Sequence, residues 1–88
     1  MEEYFLVKEF LESTITEDKI ILEQYLQPLE NCYARYLYNN LTENAVNMHF
    51  NTIPYFNSSI NYMPPGVEEK INQMYQLFMA KAKEQSNV

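Results

Sequence analysis

His49 and Cys32 are the only histidine and the only cysteine of the 88 residues, so they form the one possible Cys–His pair for nucleophilic catalysis. A thiol nucleophile needs an imidazole within hydrogen-bond reach and donors for the developing oxyanion. Nothing in the spacing ties the two residues together, and no Gly-rich turn or oxyanion-hole motif accompanies them. The expected state of His49 is a partly buried ring hydrogen-bonded to backbone, and that of Cys32 a reduced, packed thiol. Acidic neighbours offer no better chemistry. Glu2/Glu3, Glu17/Asp18 and Glu68/Glu69 are adjacent pairs, and adjacent side chains on a helix point about 100° apart. No spaced Cys/His set for zinc exists, one cysteine excludes an internal disulfide, and no metal or other cofactor is expected. The chain reads as a non-enzyme.

Charge points elsewhere. Six bases against twelve acids give a net charge of −6, opposite to what a phosphate-backbone binder needs. Eight of the acids lie in residues 1–30, against only Lys8 and Lys19, whereas residues 31–67 carry only Arg35 and Glu43. From Asn44 to Val67 there is no formal charge, and Asn, Ser and Thr alternate with Val46, Met48, Phe50, Ile53, Tyr55, Phe56, Ile60, Tyr62 and Met63. Charge depletion with Tyr, Phe and Met enrichment is the composition of an interface core. Two readings stay open: the segment folds back to cap a small core, or it is covered by a partner.

Helical spacing dominates the elements that must position these residues. Leu6, Val7, Phe10 and Leu11 share an arc over about Glu2–Glu12, with Tyr4 at its edge, while Phe5 projects elsewhere and needs a second contact. A new helix then begins near Thr14–Glu17, where Thr14 with Glu17 has capping-box spacing and Thr16 is the alternative cap. It runs to about Asn39 along a seam of Leu22, Leu26, Leu29, Tyr33 and Tyr36, kinked where Pro28 removes a hydrogen bond. Asn39-Asn40 stops it. Thr42 caps a short third helix through Val46, Phe50 and Ile53, although Val46, Met48 and Phe50 also alternate as a strand would. Residues 55–63 read as loop, and Pro64-Pro65-Gly66 is a break. The last helix runs from Val67 to about Lys83, with a stripe of Val67, Ile71, Met74, Tyr75, Phe78 and Ala82. The expected fold is all-α: one domain over residues 1–88, a bundle of three to four helices with a long uncharged loop before the last.

No targeting segment or apolar run of membrane-spanning length is visible, which fits a cytoplasmic protein with a reduced cysteine. Asn, Tyr, Ile and Lys usage suits an AT-rich coding sequence, as in low-GC bacteria and their phages. The leading expectation is a small acidic protein that binds another protein, a basic one if the acids steer it, in the manner of phage- or mobile-element-type inhibitors and regulators. The comparison rests on size and composition. A self-assembling scaffold is one alternative. A small-molecule binder, with a pocket between protomers anchored by Arg35, is another. A homodimer suits so small a core, and direct nucleic-acid or membrane binding is not expected. The residues expected to meet a partner are Asn31, Arg35 and Tyr38 on the face of the second helix opposite its seam, Phe50, Tyr55, Phe56 and Tyr62 in the neutral segment, and Glu9, Glu12 and Glu17 as the steering acids. Acids imitating DNA phosphates are a further reading, thinned by the confinement of the charge to one end.

Overall fold

The computed structural model describes residues 1–53 and 66–86, which form four helices: α1 (Glu2–Thr14), α2 (Lys19–Leu37), α3 (Glu43–Phe50) and α4 (Val67–Ser86). Among the described residues there is no strand, so the alternation of Val46, Met48 and Phe50 is incidental to a helix. The Pro54–Pro65 stretch, with Tyr55, Phe56 and Tyr62, lies outside the described residues.

Packing begins at α4, which contacts each of the other three helices. Val67, Ile71, Met74, Phe78 and Ala82 recur at three- and four-residue intervals and are all buried, as the sequence predicts, with Tyr75 half-buried at the edge of the stripe. Gly66 leads into this helix at φ +86°, and an added Cβ there would come within 3.0 Å of the Phe10 ring. Both the backbone conformation and the close approach of α1 therefore favour glycine. Lys70 extends its ammonium over that ring, 5.7 Å from the centroid.

In α1 the buried positions are Tyr4, Val7 and Leu11, continued by Ile15 in the turn. This shifts the expected arc: Tyr4 moves from edge to centre, Phe10 becomes half-buried, and Leu6 is 63% exposed. The reason is where the neighbours stand. Tyr4 stacks on Tyr33 of α2 at 4.3 Å and Phe10 meets the start of α4, while Leu6 points away from both contacts.

The α2 cap is also displaced. Asp18, rather than Thr14 or Thr16, is the N-cap, its Oδ1 accepting from the Ile20 and Ile21 amides at 3.0 and 3.2 Å. An aspartate here both satisfies free amides and meets the helix dipole. We expect Asp18→Ala to cost about 1 kcal/mol, and Thr16→Ala to stay within about 0.5 kcal/mol, in urea unfolding. Equal losses at both positions would return the cap to Thr16.

The helix continues through Pro28 as one element, with Pro28 itself buried. Its deepest positions are Tyr25, Leu29 and Cys32; of the expected seam, Leu22, Leu26, Tyr33 and Tyr36 are half-buried. A helix packed against α1 on one flank and α3 and α4 beyond it buries a wide arc, so its centre falls beside the heptad seam rather than on it.

Asn39, at φ 58°, ends the helix in a Schellman arrangement, with Asn40 N–H donating to the Arg35 carbonyl at 2.9 Å and Asn39 N–H to that of Tyr36 at 3.0 Å. Gln85 of α4 then clasps the end of α2. Its Nε2 donates to the Tyr36 carbonyl and its Oε1 accepts from Leu41 N–H, both at 2.9 Å. Thr42 caps α3 as expected, accepting from Ala45 N–H at 3.1 Å. Val46, Phe50 and Ile53 then enter the core.

Candidate functional site

The buried Cys32 thiol is pushed up to about 12, chiefly by burial, against a smaller opposing pull from Arg35. His49, half-buried on α3, is pushed below the ordinary imidazole value, again chiefly by burial and further by the Arg35 charge. A neutral thiol and a neutral ring are the reverse of an activated thiolate–imidazolium pair. The expected backbone hydrogen bond to the ring is not seen at Nε2, which is shielded from solvent and unpartnered among the described residues. No group of three or more His, Cys, Asp or Glu among the described residues could hold a metal ion.

Of the residues expected to meet a partner, Phe50 is displaced most. It is 1% exposed and packs edge-on against Tyr75 and Phe78, with centroids 5.2 and 6.2 Å apart, so it offers no surface to a partner in this chain. Part of the neutral segment thus builds the core, and of its described large apolar residues only Met48 is exposed.

Asn31, Arg35 and Tyr38 do lie along one edge of α2. Tyr38 is 81% exposed, Arg35 and Asn31 are half-buried, and Asn31 Oδ1 accepts from Gln27 Nε2 at 3.2 Å. Arg35 makes no ion pair among the described residues; its charge is felt at Cys32 and His49 instead. Glu9, Glu12 and Glu17 are exposed and likewise unpaired among the described residues. Glu17 sits apart from the other two, in the turn between α1 and α2.

An open cleft of about 300 Å³ occupies that turn, lined by Ile15, Thr16, Asp18, Ile21 and Tyr25 among others. Arg35 is not among its lining residues. It stands ten residues beyond Tyr25 on the same helix, a rise of about 15 Å. The two do not form one pocket within this chain.

The surface missed from the sequence lies where α1 and α2 meet. Phe5, on a flank of α1, finds its second contact in Tyr33, edge-on with ring centroids 5.4 Å apart. Tyr33 stacks in turn on Tyr4, so the exposed ring rests on a fixed aromatic base. Leu37 follows Tyr33 by one helical turn. Phe5 is 50% exposed and Leu37 60% exposed. The signal for this patch was the off-arc position of Phe5, but its partner ring could be identified only once the two helices were paired.

No protein-family model matches the chain, and comparison with curated proteins and with solved structures gives no match. Among the described residues no helix is long and apolar enough to cross a membrane.

Proposed function

We propose that this chain is a non-enzymatic protein-binding protein that acts by occupying a surface of its target, as an inhibitor or regulator does. The observation that carries this reading is the exposed Phe5, seated edge-on against the Tyr33 ring, with the exposed Leu37 one helical turn beyond Tyr33 and, nearby, carboxylates that have no ion-pair partner among the described residues. Acids raise the rate of encounter with a basic partner, and a ring held by other rings loses little freedom when covered. The free, buried thiol suits a reducing compartment, and the proposed setting is the cytoplasm. Small phage-encoded inhibitors are the analogy, one of size and composition alone. Net charge −6 disfavours direct contact with nucleic acid.

The test uses the intact chain and an E9K/E12K/E17K variant as baits in lysate of the native host, with retained proteins quantified by mass spectrometry. A purified candidate is then titrated against both baits. The expected result is one protein retained at least tenfold better by the unaltered chain, through a complex that weakens as salt is raised. A chain that retains nothing specific, or one that turns over a substrate and loses that turnover on His49→Ala, overturns the proposal.

A further inference from the structure

Phe5, Glu9 and Glu12 are spaced i, i+4 and i+7 on α1, and Glu30, Tyr33 and Leu37 are spaced i, i+3 and i+7 on α2. Each set therefore forms a single stripe along its helix. The Phe5–Tyr33 contact brings the two stripes alongside one another. Glu12 and Glu30 belong to these stripes by their helical spacing, on the same faces as Phe5 and Tyr33. Two helices packed side by side leave a furrow between them, and by residue type this one is apolar at the end formed by the start of α1 and the end of α2, and acidic from there toward the other end. Glu9, Glu12 and Glu30 are exposed, and the acids outnumber the half-buried Lys8.

We infer that this groove docks a basic amphipathic helix of another protein, with an apolar anchor on Phe5, Tyr33 and Leu37 and Lys or Arg side chains over Glu9, Glu12 and Glu30. This rests on the protein-binding reading above and names the chemistry of the partner. The groove between two packed helices has the shape that receives a third helix. Its charge selects the occupant. A second copy laid on the same face would bring these carboxylates against their own kind, in a chain already at −6. The spacing selects the register: Phe5 to Glu12 is seven residues, about 10 Å of rise, so the basic groups of the partner must follow its anchor by about two turns.

The probe is a synthetic 18-residue helical peptide with Leu at the anchor positions and Lys one to two turns beyond. An otherwise identical peptide with Glu in place of Lys is the control, and amide and methyl NMR of the full chain is the readout. The Lys peptide is expected to shift the resonances of Phe5, Glu9, Glu30, Tyr33 and Leu37, and the Glu peptide to leave them in place. F5S/L37S and, separately, E9K/E30K are each expected to raise the Kd at least tenfold; all four positions are exposed, and circular dichroism checks that both variants keep their helices. Shifts spread over the whole surface, equal effects of the two peptides, or a dimer that dissociates on F5S/L37S overturn the inference. If the groove ignores the peptide while a lysate partner is still lost on E9K/E12K/E17K, the docking mode falls and the protein-binding reading survives.

Discussion

Phe50→Ala is expected to lower unfolding free energy by about 3–5 kcal/mol, the range for emptying a buried aromatic site. A domain of this length has about 4–13 kcal/mol in total, so the variant sits near the threshold of folding at 37 °C. The cost follows from position. Phe50 closes the short α3 against α4 through edge-on contacts with Tyr75 and Phe78, and Val46 and Ile53 on either side of it are fully buried as well. An eight-residue helix has little stability of its own, so tertiary burial is what holds α3 in place. Phe50→Leu, which keeps most of the volume, should lose less than about half as much. Urea unfolding followed by circular dichroism measures both. A loss below about 1 kcal/mol for Phe50→Ala would mean that this ring is a surface group after all.

The fate of Phe50 shows what a single chain's composition conveys about burial. A neutral stretch rich in rings has the same amino-acid content whether its own core or another molecule covers it, and only the positions of α2 and α4 decide between them. Where periodicity is strong and the ends are marked, sequence sufficed: the α4 stripe, the Thr42 cap and the Asn39-Asn40 stop each have a local physical cause. Where several local signals compete, the winner depends on geometry. Thr14, Thr16 and Asp18 all carry oxygens suited to capping, and the entry angle of the chain into α2 places the Asp18 carboxylate on the amides of Ile20 and Ile21. Leu6 and Tyr4 exchanged roles for a related reason. Hydrophobicity says that a side chain gains from burial, but it does not say on which side of α1 the other helices lie. The candidate groove was the least legible part, because it belongs to two helices and neither stripe is apolar throughout.

Cys32 leads to the other large effect. With the thiol buried and its pKa pushed up to about 12, the native chain at pH 8 presents almost no thiolate to a reagent. Alkylation by iodoacetamide should therefore proceed through transient unfolding, at least about a thousandfold more slowly than in urea, given the stability range of such a domain. The same burial sets an alkaline limit. In the unfolded chain the thiol loses its proton near the ordinary value of 9.0, whereas the folded chain keeps it to about 12, so the native state holds more protons across that interval. The stability this provides is complete below pH 9 and is lost as pH rises from there toward 12. Tyr4 and Tyr25 act in the same direction from just above pH 10, because burial raises both phenols. Cys32→Ala should accordingly flatten the pH 9–12 decline in urea midpoint, with the remaining slope beginning near pH 10, where the two tyrosines take over. Rapid alkylation of the folded chain at pH 8 would show that the thiol is reached without opening the bundle, and an unchanged alkaline slope in Cys32→Ala would show that folding does not raise its pKa.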